Sequence, residues 1–418
     1  MLLSMALRAY YVSIISIYEN QHDSGNPFEE GHLAYIAYLI NNGQLPDFDV
    51  SKVDQFWHPP LHYALSAMLL KLSWTLFPSQ NGNYEIAQLL PFLYITFAIL
   101  FIWKILRYVF PKDDKTVNIA LAFAAFQPSF LFRSATLNAD AMATFISVAM
   151  LFFLFRHIYD ANKSDIVWML VLFIIGMWTK KSVLLAALTI GFVLLYELII
   201  EKKKDFYKAL LLMIVTSPVS LGWYIRLYRL WKIPFNFVWS LKDYNLVPGY
   251  IKDASILKRI TDFSPAHFTY QYTYVRSNVE AVDINPLTVL IKTSANDLWQ
   301  WSYENGAITK LSYIILLLRL LFVIAVSAGF IVLVLQKNMP KTKIAVISFV
   351  ALNLISFYIF AFENPFIHTM NYRYVEPIIL CEAIAVGLLA KKGKLLFIGT
   401  ALSTLALAGA LTLKILLL

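Results

Sequence analysis

Long apolar runs broken by short charged segments dominate the chain. Runs long enough for a bilayer-crossing helix, which needs about 20 mostly apolar residues, fall near 1–18, 88–107, 117–134, 140–157, 166–179, 183–200, 208–228, 311–336, 344–362, 374–390 and 395–416. A further run, 61–77, sits at the short end of that range and carries His62, Lys71 and Ser73. Two longer hydrophilic stretches, 19–60 and 229–310, interrupt the series. In the first, Leu33, Ile36, Leu39 and Ile40 recur at helical spacing until Gly43 and Pro46 end the pattern. This predicts an amphipathic helix over 31–42 lying on the membrane surface. His58-Pro59-Pro60 stiffens the entry into 61–77, because proline fits the first turn of a helix.

Composition agrees with the pattern. Of 418 residues, 59% are hydrophobic and 15% charged, against about 45–50% and about 25% in soluble domains. The excess of apolar surface requires lipid as solvent, which excludes a soluble enzyme, a disordered chain and a nucleic-acid binder. The expected class is therefore all-α, a polytopic membrane protein. The lone Cys381 allows no intramolecular disulfide and no cysteine metal site. No small-residue cleavage pattern follows the first run. That run is short, holds Arg8 and has no basic segment before it, as would also arise from a span begun further upstream.

The net charge of +9 is informative through its placement. If 61–77 lies in the interface instead of crossing, one side collects Lys104, Arg107, Lys112, Lys115, Arg156, Lys163, Lys202, Lys203, Lys204, Lys208, Lys337, Lys341, Lys343, Lys391, Lys392 and Lys394. The short segments opposite hold only Lys52, Arg133, Lys180, Lys181 and Arg373. The positive-inside rule makes the first side cytoplasmic, while a crossing 61–77 would invert the balance. The expectation is about eleven spans with the N-terminus inside, and 19–60 and 229–310 as outer loops. The first loop carries the acids Glu19, Asp23, Glu29, Glu30, Asp47, Asp49 and Asp54 against Lys52 alone. A carboxylate there, beside apolar surface, suits general-base work.

The segment His22-Asp23-Ser24-Gly25, then Glu29-Glu30-Gly31-His32-Leu33-Ala34-Tyr35-Ile36, then Leu45-Pro46 and His58-Pro59-Pro60-Leu61, resembles the integral-membrane glycosyltransferases of the GT-C type. The branch is that of glycosyltransferase family 39, the protein mannosyltransferase-like enzymes that include bacterial aminoarabinose transferases. Gln127-Pro128 with Asn138-Ala139-Asp140 resembles its second acidic position. Gly176-Met177-Trp178-Thr179-Lys180-Lys181-Ser182 resembles its Thr-Lys-x-Ser turn. Gly222-Trp223-Tyr224-Ile225-Arg226 resembles its exit into the long outer loop, and Asn371-Tyr372-Arg373-Tyr374-Val375-Glu376-Pro377 its Arg-Tyr-x-x-Pro signature. The resemblance runs over most of the chain, as one GT-C-like domain.

It implies inverting transfer of a sugar from a polyprenyl-phosphate-linked donor to an acceptor at the outer face, with no nucleotide-binding domain. Asp23 is the first choice for the base, with Glu29-Glu30 ahead of His32 as the competing position and Glu30 the candidate there. Asp140 is a second carboxylate, orienting acceptor or base. Lys180, Lys181, Arg226 and Arg373 are cations suited to a phosphate. His22, His32 and His58 are candidate partners of sugar or phosphate. No cofactor is implied beyond a divalent cation on which members of the family differ. The histidines are scattered, and no H-E-x-x-H motif occurs.

Plainer roles compete for each group. The loop acids would be merely solvated, Asp140 an N-terminal cap, Lys180 and Lys181 snorkelling, and Arg373 an anchor in an aromatic belt. Trp299 and Trp301 suit stacking on a sugar or, equally, belt packing. The competing functions are a transporter or flippase of a lipid-linked or polar substrate, and a non-catalytic subunit of a cell-envelope assembly. A transporter places ionisable groups near the midplane. The interior charges Arg319, Glu197 and Glu382 have no partner evident in sequence.

Overall fold

The structure is a computed structural model that describes residues 1–18, 25, 27, 29–162, 164–238, 249–251, 254–273, 283–298 and 305–418. Among these it is helical, with a single isolated bridge, Tyr250 to Phe366, and no strand. In chain order the helices are α1 (Leu2–Ile14), α2 (Gly31–Asn42), α3 (Leu61–Leu76), α4 (Leu89–Val109), α5 (Asp114–Ala125), α6 (Pro128–Arg133), α7 (Asp140–Asp160), α8 (Asp165–Met177) and α9 (Leu184–Ile200). They continue as α10 (Asp205–Ser220), α11 (Gly222–Trp231), α12 (Ile256–Thr261), α13 (Pro286–Asn296), α14 (Gly306–Leu335), α15 (Pro340–Glu363), α16 (Ile379–Ala390) and α17 (Lys394–Leu416).

The predicted surface helix is α2, closed by Gly43 in the left-handed conformation, whose N–H bonds to the Leu39 carbonyl. Leu33, Tyr35 and Ile36 are buried on it. The 16 residues of α3 reach about 24 Å at 1.5 Å per residue, short of the roughly 30 Å of hydrocarbon.

Six helices among the described residues are long and apolar enough to cross a bilayer: Tyr84–Val109, Asp140–Asp160, Lys181–Ile200, Gly306–Leu335, Pro340–Glu363 and Lys394–Leu416. The pair α10 and α11, bent by 45°, meets the same length and composition only when taken together. Pro218 lies just before this bend. It cannot donate to the Ile214 carbonyl one turn back, and the Ser217 hydroxyl donates to that carbonyl instead (2.8 Å). The other expected spans are shorter helices. The run 117–134 divides at Gln127, where Pro128 opens α6. The run 374–390 begins in 3-10 turns, with Pro377 in one of them, and only α16 is α-helical. The runs 1–18 and 166–179 are the short apolar helices α1 and α8.

The chain divides into two units. One comprises Met1–Ile14, Ile102–Phe132 and Leu241–Leu418, the other Ile15–Phe101 and Arg133–Ser240. In the first, α16 is almost wholly buried. Gly329 on α14 faces it so closely that a Cβ would stand 2.1 Å from the Ala385 carbonyl oxygen. Small residues permit such backbone approach where lipid gives no hydrophobic drive to helix pairing. Large apolar side chains such as Leu321, Ile324, Ile331 and Leu335 remain exposed along α14, as lipid contact requires.

The second unit is organised by aromatic packing beneath α2 and α3. Tyr35 stacks between Phe56 (4.8 Å) and Tyr63 (4.5 Å), and buried Trp223 donates Nε1–H to the Trp57 carbonyl (3.1 Å). Two glycines of the sequence motifs serve close contacts here. A Cβ on Gly176 would stand 2.5 Å from Val183, and one on Gly222 2.9 Å from the Trp178 ring.

Candidate active site

In the second unit Asp140 opens α7 with its side chain almost fully buried. Asn138 Oδ1 accepts its backbone N–H at 3.1 Å, so the turn is capped by Asn138. The Asp140 carboxylate is left to side-chain chemistry: it accepts a hydrogen bond from Lys180 Nζ in an ion pair, with side-chain exposures of 7% and 18%. Lys180 reaches it because α8 ends at Met177 and the Thr179 and Lys180 N–H groups both fold back onto the Gly176 carbonyl.

His58 is coupled electrostatically to this pair. Its ring stacks on Trp57 (3.9 Å) and lies 6.0 Å from that of His32. Burial, and then the positive charge of Lys180, holds its imidazole well below the usual range, with Asp140 acting in the opposite sense. His32 is buried and shares a 2.8 Å hydrogen bond with Tyr63 Oη. His62 donates Nε2–H to the Leu137 carbonyl (2.7 Å), which ties α3 to the turn before Asp140. Burial pushes its imidazole down to about 4. His58 and His62 stand four residues apart, yet Pro59 and Pro60 keep His58 outside α3, so the two do not share a helix face.

Both imidazoles are depressed, so protonation costs folding free energy. Their contribution to stability is complete above the ordinary value near 6.5 and is lost as pH falls below it, because the unfolded chain binds the protons first. The thermal midpoint in detergent is therefore expected to drop as pH falls from 6.5 towards 4.5. His58→Gln should flatten that slope, and an unchanged slope would contradict the assignment.

The remaining cations are engaged differently. Lys181 donates to the Phe237 carbonyl (3.1 Å) and lies over the Trp57 ring. Arg226 donates through one terminal nitrogen to the Pro46 carbonyl (2.7 Å) and rests against Trp231, while its Nε is buried without a hydrogen bond. Glu30 precedes α2, exposed, and makes no side-chain capping bond. Asp23 and His22 lie outside the described residues, as do Trp299 and Trp301. Within this unit the fold thus brings together Asp140, Lys180, His58 and His32.

Arg373 belongs to the other unit. It is nearly buried, donates to Tyr374 Oη (2.8 Å) and lies over that ring. Its turn is pinned by Asn371, whose Oδ1 accepts the Arg373 N–H and whose amide donates to Asp297. Beside it the Ser129 hydroxyl donates to Glu376, and Tyr372 Oη donates to Glu382 Oε1 (3.0 Å).

The interior charges without evident partners in sequence are paired in the fold. Arg319 meets Glu382 at 3.2 Å, with further bonds from Gln127 to Glu382 and from Arg319 to Ser294. Glu197 meets His157 and Lys203. Sequence reading also missed the buried Lys292–Asp283 pair (2.7 Å), which His267 joins at 3.0 Å. The spacing of Lys292 on α13 after Asp283 was the only signal available.

Comparison with known proteins bears on the same region. Residues 57–223, which include His58, Asp140, Lys180 and Lys181, match the family of Dolichyl-phosphate-mannose-protein mannosyltransferase. The match covers less than half of the chain, and the resemblance to GT-C-type glycosyltransferases stands on it. No curated protein matches. Among solved structures, ArnT from Cupriavidus metallidurans in the apo state is similar at 13% identity and a TM-score of 0.42, with 94% of this chain and 80% of that chain covered. The same protein bound to undecaprenyl phosphate gives 13% identity, a TM-score of 0.41 and the same coverage.

Proposed function

We propose that this protein transfers a sugar from a polyprenyl-phosphate-linked donor to an acceptor hydroxyl at the outer face of the membrane, with inversion. The observation that carries the reading is the Asp140–Lys180 pair beside His58, inside the stretch that matches a mannosyltransferase family. In the reaction the acceptor oxygen bonds to the anomeric carbon and the carbon–oxygen bond to phosphate breaks. The proton passes to a base, and the electron pair leaves on the lipid phosphate. A carboxylate of the first outer loop, Asp23 or Glu30, takes the proton. Asp140 orients the acceptor.

Lys180 stabilises the departing phosphate. Lys181 and Arg226 are further phosphate ligands, and His32 and His58 hold the sugar or the phosphate. A donor dissolved in the bilayer reaches such a site laterally, in keeping with the apolar, lipid-facing helices.

The test is incubation of the purified chain in detergent or vesicles with labelled polyprenyl-phosphate sugars, with and without a divalent cation. Consumption of a donor, with inverted configuration in the product, is expected. Folded protein that consumes none of them would overturn the reading and favour a docking subunit, whereas movement of intact donor between leaflets would favour a flippase.

A further inference from the structure

The opposite ends of the same helices hold a cluster that the transfer reaction does not use. His157 near the end of α7, Glu197 near the end of α9 and Asp205 at the start of α10 each offer one ligand atom, and these atoms lie within 4.8 Å of one another. His157 is 5% exposed, Glu197 1%, and Asp205 is half-buried. The His157 Nε2 stands 3.0 Å from Glu197. We propose that His157, Glu197 and Asp205 form a binding site for a divalent transition-metal ion of the zinc class, on the face that the lysine distribution assigns to the cytoplasm.

The chemistry of the donors selects the ion. One imidazole and two carboxylates from three separate helices are donors that Zn²⁺ accepts, with a fourth position left to water. Hard cations such as Mg²⁺ prefer an all-oxygen shell. Tetrahedral Zn²⁺ holds its ligands about 3.3 Å apart, from bonds of about 2.0–2.2 Å, so small rotamer changes close the observed cluster.

Two carboxylates beside one imidazole carry a surplus of negative charge in a buried place. Lys203 offsets it now, 3.5 Å from Glu197 and 2.8 Å from Glu201. Its side chain is 41% exposed, so it can swing to water when the ion enters. The neighbouring Arg156 is occupied by the carboxylate of Asp165 and does not compete. The ion would staple α7, α9 and α10 at one membrane face. The inference does not depend on the transfer reading.

Calorimetric titration of ZnCl₂ into the full chain, stripped with EDTA and desalted in detergent at pH 7.5, tests this. One ion per chain is expected, with a thermal midpoint that rises with Zn²⁺ and proton release on binding. Asp205→Asn and His157→Gln should each weaken binding at least tenfold. Lys203→Met should tighten it, because the competing ammonium is gone. No saturable Zn²⁺ site, or one undiminished in Asp205→Asn, would overturn the proposal. Asp205 is half-exposed, so that variant decides the matter even if His157→Gln fails to fold. Because the readout is binding, inactivity in a transfer assay does not affect it.

Discussion

Asp140→Asn is expected to reduce sugar transfer by about 10²-fold, the loss that follows when an acceptor is misplaced, with the protein still folded. The substitution is nearly isosteric and leaves the Asn138 cap on the residue's own N–H intact, so the helix start is preserved. What disappears is the negative charge that fixes Lys180. An unpaired, partly buried ammonium costs about 1–3 kcal/mol, which a melting experiment in detergent would register as a moderate loss. Lys180→Met should instead act mainly on donor binding and phosphate departure. If Asp140 were only a cap, Asp140→Asn would retain full turnover of labelled donor, and that result would sink the catalytic assignment.

The second large effect is on stability. Arg319 and Glu382 are both nearly buried and face each other across α14 and α16. Removing one partner of such a pair strands a charge, at a cost of about 3–5 kcal/mol. Arg319→Met and Glu382→Gln are each expected to lower the unfolding midpoint in detergent steeply. The double variant Arg319→Met/Glu382→Met should recover much of the loss, because two apolar groups of similar length need no counter-charge. A double loss equal to the sum of the two single losses would show that the pair is not coupled. Tyr372 and Gln127 also bond to Glu382, so the singles should disturb the turn that carries Arg373 as well.

The sequence alone showed an all-helical membrane protein, because a chain this apolar has no other solvent. It also marked the helix α2, since helical spacing, Gly43 and Pro46 all act locally. What it missed is non-local. Asp140 and Lys180 were each singled out, but forty positions separate them and only the meeting of α7 with the turn after α8 joins them. Arg319 and Glu382 looked partnerless for the same reason, as did Glu197.

Proline interrupts two of the runs expected to span. A hydropathy window averages across Gln127-Pro128 and Pro377, whereas the backbone stops there. Arg226 and Arg373 each donate to a neighbour, a carbonyl and a phenol that sequence cannot show.

The seam at Gly329 has a consequence for natural variation. Every single-base change of a glycine codon that alters the residue adds at least a methyl group or ends the chain, and here even a methyl would stand 2.1 Å from the Ala385 oxygen. In a saturation library this codon should therefore read as closed to all nineteen alternatives, alanine included. Gly409 on α17, which has no atom within 4 Å of the same added carbon, should read as open.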